Sequence, residues 1–130
     1  MLTLPDPHPV RKQLQHLLVR GVAWVRGGLT PEGGMGCYGL ERNAYALAGL
    51  EMPETAHEAC ALFVPVQPPY QAWDIAVCQL DEIHLALVLE PPRGFHIAAC
   101  TNGLAQFSLR SAPWKRTFQR CMRYGDFICD

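Results

Sequence analysis

The chain has 130 residues, 49% of them hydrophobic, and its 11 basic and 12 acidic residues leave a formal net charge of -1. A chain of this length forms one domain, residues 1–130, with enough apolar material for a core of its own. The absence of a Lys/Arg run or a basic stripe interleaved with aromatics argues against nucleic acid, and apolar runs of only a few residues argue against a membrane span.

The start, Met1-Leu2-Thr3-Leu4-Pro5-Asp6-Pro7, has neither a basic n-region nor an apolar h-region. The expectation is therefore cytoplasmic synthesis without a signal peptide. The six cysteines, Cys37, Cys60, Cys78, Cys100, Cys121 and Cys129, include no C-x-x-C pair, and Cys121 with Cys129 lacks a nearby His. Reduced thiols, no structural zinc and no cofactor are expected.

Val10, Leu14, Leu17 and Leu18 mark one face of a first amphipathic helix, with Arg11, Lys12, Gln13, Gln15 and Arg20 turned to water. His8 and His16 read as surface histidines. A glycine- and proline-rich loop from Gly21 to Gly34 follows and delivers the chain to Cys37. No Lys-Ser or Lys-Thr follows the glycines, so a phosphate cradle is discarded. From Leu40, Ala44, Leu47 and Ala48 recur at helical spacing, so Cys37 sits at or just before a helix N-terminus, and Gly49 with Pro53 ends that helix.

Residues 54–62 read as a short helix, and Val64–Tyr70, with three prolines, as a connector that cannot be a central strand. Beyond Trp73 the pattern changes to strands: Ile75–Cys78, Ile83–Leu89, Phe95–Cys100 and Leu104–Leu109. Pro91–Gly94 and Thr101-Asn102-Gly103 supply the turns. Trp114–Tyr124 fits a short helix or an edge strand. Helices first and strands afterwards give an α+β domain with N-terminal helices packed on an antiparallel sheet.

The positive end of a helix stabilises a thiolate, so Cys37 is a candidate nucleophile, although most free cysteines are small buried hydrophobes. His84 opens one strand and His96 lies in the next, so a hairpin can put both imidazoles on one face. If that face packs against the Cys37 helix, a Cys-His-polar triad converges. The thiolate would attack a carbonyl, His84 would hold the proton and return it to the leaving amine, and His96 would orient His84. The remaining cysteines are expected to fill apolar space.

In order and spacing, Trp24-Val25-Arg26-Gly27-Gly28, Gly34-Met35-Gly36-Cys37-Tyr38-Gly39-Leu40, Pro53, Trp73-Asp74-Ile75-Ala76-Val77, His84-Leu85-Ala86-Leu87-Val88-Leu89 and His96 make the chain resemble the NlpC-type family of cell-wall cysteine peptidases. That family pattern is an aromatic with paired glycines, G-[FL]-D-C-S-G-L opening a helix, a proline, G-D-[LIV]-V, H-V-G-[IV]-[YV]-L and a final His. The likeness covers roughly residues 21 to 124. It implies a papain-like fold, with Cys37 as nucleophile, His84 as general base and acid, and His96 as orienting residue. It also implies hydrolysis of peptidoglycan stem peptides next to a D-amino acid, with Trp24 lining the cleft and the oxyanion met by the Cys37 backbone N–H.

Two departures stand beside the nucleophile, where Gly36 replaces the usual Asp and Tyr38 the usual Ser, reshaping the substrate pocket. A one-residue shift would instead place Ile97 in the slot of His96 and turn His96 from the cleft. Asp74 matches a strand-opening aspartate of structural role. The expectation is a cysteine peptidase associated with a phage or prophage tail, with tail proteins as partners. The alternative is a catalytically inactive binding or tail-assembly module on the same fold, and a third reading is acyl transfer by the same thiolate.

Overall fold

The computed structural model describes residues 3–79 and 82–128, which form four α-helices and eight strands. Helix α1, Pro7–Arg20, begins where the Asp6 carboxylate accepts the His8 N–H, and it stops at Gly21, whose N–H closes on the Leu17 carbonyl. Its Val10 and Leu14 are buried, while His8 and His16 are exposed as expected.

The glycine-rich stretch is more ordered than its composition suggests. It holds a two-stranded ribbon, β1 Leu29–Thr30 and β2 Gly34–Met35. The ribbon lies so close to the next helix that a Cβ on Gly39 would overlap the Gly28 carbonyl, which also accepts the Gly36 N–H. Glycine at position 39 thus permits a backbone-on-helix contact that no side chain would allow.

Helix α2, Cys37–Leu47, and the short α3, Ala56–Cys60, come next. The main sheet contains β3 Phe63–Val66, β4 Ile75–Gln79, β5 Ile83–Glu90, β6 Arg93–Ala98, β7 Gly103–Ser108 and β8 Phe118–Tyr124. All pairs are antiparallel and the spatial order is β3-β8-β4-β5-β6-β7.

Two readings of the sequence change here. Val64–Val66 belongs to an edge strand rather than a connector, and Pro65 fits because an edge strand needs ladder donors on one side only. The final segment is both a helix, α4 Ala112–Thr117, and a strand, and that strand is internal, wedged between β3 and β4.

The sheet is covered on both faces. On one, Leu40, Ala44 and Tyr45 of α2 and Val10 and Leu14 of α1 pack over Ile75, Leu87, Leu89, Phe95 and Ile97. On the other, Ala76, Ala86, Val88, Phe107 and Cys121 lie under Trp114 of α4, with Tyr70 and Phe118 alongside. This is the expected α+β architecture, helices on an antiparallel sheet.

Asp74 is fully buried and accepts the Gln71 N–H and two bonds from the Arg123 guanidinium, at 2.7 and 2.9 Å. It ties the entrance of β4 to β8, a structural task. Its neighbour Trp73 occupies the slot where the resembled motif carries glycine, and its φ of 76° is in the left-handed region. That conformation costs about 1–2 kcal/mol for an L-residue. It is held by the indole N–H to Pro5 O at 2.8 Å and by Tyr45, whose hydroxyl donates to Trp73 O and whose ring lies 5.3 Å away.

Cys78 and Cys121 fill apolar space, but Cys60 and Cys100 are exposed, and Cys129 lies outside the described residues. Among the described residues no helix is long and apolar enough to cross a membrane.

Candidate active site

Cys37 is the first residue of α2, where the flanking glycines indicated it would be. Gly36 at the N-cap offers no side-chain cap, so the first-turn amides are left to other partners. The sulfur meets the Leu85 amide from β5 and the first-turn amides of Tyr38 and Cys37 itself, and all three favour its thiolate. Burial works against them and is the larger effect, so the thiol is pushed above its ordinary value. The expected lowering by the helix N-terminus is therefore reversed. A charge on Glu41 would push the thiol up further, but burial raises the Glu41 carboxyl well above the usual carboxylate range and so disfavours that charge.

A cleft of about 520 Å³ opens at the end of the sheet, and Cys37, His84, Trp24 and Arg26 all line it. Arg26 bonds Glu82 at 2.9 and 3.1 Å across exposed surface, and its guanidinium carbon sits 5.8 Å from the Trp24 ring centre. Trp24 is thus where a cleft-lining aromatic was expected. Tyr38 is not in this cleft, because its hydroxyl donates to Pro53 O. Gly36 is buried against the backbone of Val25 and Gly27.

The two histidines do share a sheet face, and their rings meet, His84 Nε2 to His96 Nδ1 at 3.2 Å. The face is not the one that α2 covers. On β4 and β5, Cys78 pairs with His84 and Ala76 with Ala86, so His84 points with Ala86 and Val88 toward α4. On β6, Phe95 and Ile97 face the helical core while His96 points away. The His96 ring stands edge-on to Trp114 at 4.8 Å, and Trp114 stacks on Phe107 at 4.3 Å.

The histidine face is thus not the one that packs on the body of α2, although His84 borders the cleft that Cys37 lines and His96 contacts its ring. Cys37 and His84 nonetheless line the same cleft, and the sulfur takes the amide of Leu85, the next residue after His84, while among the described residues no hydrogen bond joins the thiol to an imidazole. Ile97 occupies the α2-facing position of β6, as the one-residue shift would have it, and Leu85 that of β5. Burial lowers the pKa of His84, and burial followed by the neighbouring His84 lowers that of His96 to about 4. Burial thus favours the neutral form of both imidazoles.

Sequence reasoning missed three groups. Glu82 as the partner of Arg26 is a long-range pairing without a local cue. Trp114 as the lid on the histidines depends on where α4 folds back. Glu41, a charged residue on the apolar side of α2, was visible as a break in the helical pattern.

A cysteine-headed helix laid on this antiparallel sheet is the fold of the NlpC/P60 peptidoglycan hydrolases. The chain is similar to an NLP/P60-family protein described as similar to a lipoprotein, from Staphylococcus aureus, with a TM-score of 0.71 and 22% identity over 95% of this chain and 45% of that one. It is also similar to an NlpC/P60 family protein from Bacillus cereus, with a TM-score of 0.75 and 16% identity over 94% and 41%. A third similar structure is the peptidoglycan hydrolase RipB from Mycobacterium tuberculosis, with a TM-score of 0.61 and 18% identity over 99% and 74%. The chain spans less than half the length of the first two, and at these identities the likeness is one of fold. No family model matches the sequence, and no curated protein matches it.

Proposed function

We propose that this chain binds peptidoglycan stem peptides in the Cys37 cleft as a recognition module, without hydrolysing them. The observation that carries the reading is the direction of the histidines: their imidazoles pair under Trp114 on the α4 face, while the thiol lies at the head of α2 with a raised pKa. A thiol whose pKa is raised and that makes no hydrogen bond to an imidazole is a poor nucleophile. The substrate class rests on the fold it shares with peptidoglycan hydrolases such as RipB. Trp24 offers an aromatic wall, and the Arg26–Glu82 pair offers both charges to a zwitterionic peptide. A phage or prophage tail, with tail proteins as neighbours, is the proposed setting by analogy.

Hydrolysis is the second reading, and the shared lining of the cleft by Cys37 and His84 favours it. For that chemistry His84 must turn Nδ1, the ring nitrogen that does not face His96, to the sulfur. It would then take the thiol proton as sulfur attacks the amide carbonyl, give that proton to the leaving nitrogen, and activate the water that hydrolyses the thioester.

Soluble muropeptides of both the diaminopimelate and lysine types separate the readings. Binding is followed by NMR shifts of cleft residues and cleavage by mass spectrometry. Binding without products, unchanged in Cys37→Ala, is the expected result. Products that disappear in both Cys37→Ala and His84→Ala would put the hydrolase reading in its place, and neither binding nor products would remove both.

A further inference from the structure

Next to the Cys37 cleft, and sharing Ile83 with it, is a second cavity of about 330 Å³ between α2, α3 and strands β4, β5 and β8. Its walls are apolar, with Phe63, Ile75, Val77, Leu85 and Met122 among them. Into this wall α2 places Glu41, one helical turn after Cys37. Glu41 is only 4% exposed, and its Oε1 has no hydrogen-bond partner among the described residues. An aliphatic side chain would fill the place without leaving a buried polar atom unsatisfied, so packing alone does not account for Glu41.

We propose that this cavity is a binding site for an apolar group ending in a carboxamide, with the Glu41 carboxyl as its hydrogen-bonding partner. The protonated carboxyl, the form that burial favours at Glu41, has one O–H to donate and one carbonyl to accept. A carboxamide presents the complement, a carbonyl and an N–H, in the same plane and spacing. Two bonds then form with no charge carried out of water. An ammonium group is less suited, because it would need Glu41 ionised and both ions desolvated, and because the exposed Arg120 borders the same cavity. The Tyr38 hydroxyl does not compete for the ligand, since it already donates to Pro53 O. This site stands whether or not the Cys37 cleft takes a peptide.

The test is a two-dimensional NMR titration of the full chain with hexanamide, hexylamine and hexanoate, which share a six-carbon stem and differ in the head group. Hexanamide is expected to shift the amides of Glu41, Val77 and Leu85 with millimolar affinity, and the other two to bind about tenfold more weakly. Glu41→Gln, which keeps a donor and an acceptor, should retain hexanamide binding. Glu41→Leu should weaken it about tenfold while leaving the protein folded. Leu85→Trp, which fills the cavity from the sheet side, should abolish the shifts even if Glu41→Leu fails to fold. Equal binding of all three probes, tighter binding of hexylamine or hexanoate, or hexanamide binding that survives Leu85→Trp would overturn the assignment.

Discussion

Acid should destabilise this protein through the histidine pair before it reaches the range of ordinary carboxylates. His96 is 7% exposed, wedged between His84, Phe107 and Trp114, and its pKa falls from the usual 6.5 to about 4. In the unfolded chain the imidazole takes a proton near pH 6.5, and in the native state it refuses one until about pH 4. The unfolded state therefore binds more protons across that window, so stability rises with pH there. The contribution is complete above pH 6.5 and is lost as pH falls toward 4. At 1.36 kcal/mol per unit, a shift of about 2.5 units amounts to about 3 kcal/mol, of which about 2.5 kcal/mol is gone by pH 4.5. His84 shifts in the same direction and adds to the effect. The pair cannot hold two protons, since each ring nitrogen at the 3.2 Å contact would then face a donor.

Urea unfolding at pH 7.0 and pH 4.5 reads this directly, with His96→Phe as the reference because a phenyl ring keeps the edge-on packing against Trp114. The wild type should lose about 2.5 kcal/mol more than the variant between the two pH values. A His96 ring titrating at pH 6 or above by NMR, or parallel losses in the two proteins, would refute the reasoning. A His84 midpoint above 6.5 that falls in Cys37→Ala would reveal a thiolate–imidazole pair instead.

Other expectations follow from single contacts. Iodoacetamide at pH 7 should modify the exposed Cys60 and Cys100 faster than Cys37, whose rate should keep climbing beyond pH 8.5, the ordinary thiol value; mass spectrometry locates the label. Gly39→Ala pushes a methyl into the Gly28 carbonyl and should lower stability by about 1–3 kcal/mol in a urea titration, whereas Gly49→Ala meets no atom and should reflect only its positive φ. Asp74→Ala strips the partly buried Arg123 of its partner and should cost about 3 kcal/mol, and an Asp74→Leu/Arg123→Met double variant should recover much of that loss.

Much of the architecture was legible because local chemistry agreed with the fold. Asp6 and Pro7 start α1, glycines bracket Cys37, and Asn102-Gly103 turns into β7. The errors lay where pairing is long-range. Nothing between Trp114 and Tyr124 states that β8 slides between β3 and β4, and nothing around Pro65 distinguishes a connector from an edge strand. The exposed positions of Cys60 and Cys100 were equally silent, since a cysteine carries no amphipathic cue. At the site, the positions of Cys37 and Trp24 were legible, and the direction of the histidines was not. Ile83-His84-Leu85-Ala86-Leu87-Val88-Leu89 is apolar in both phases because helices cover both faces of the sheet, so alternation names two faces without saying which one α2 owns.

Packing nevertheless shows why the phase is firm. The α2 side of β5 holds Leu85, Leu87 and Leu89, opposed by two helices, whereas the other side holds Ala86 and Val88 under α4. Slipping β5 by one residue to bring His84 to the thiol would send three leucines into the smaller layer. At about 1.5–3 kcal/mol for each leucine whose burial is lost, that approaches the whole stability of a domain. The opposite experiment is cheaper: Leu85→His puts an imidazole on the α2 side, in a residue whose own amide already faces the Cys37 sulfur. Alkylation of Cys37 at pH 7 should then accelerate at least about tenfold as the new imidazole draws the thiol toward thiolate. An unchanged rate would mean that the missing base is not what keeps this thiol quiet, and that burial alone does so.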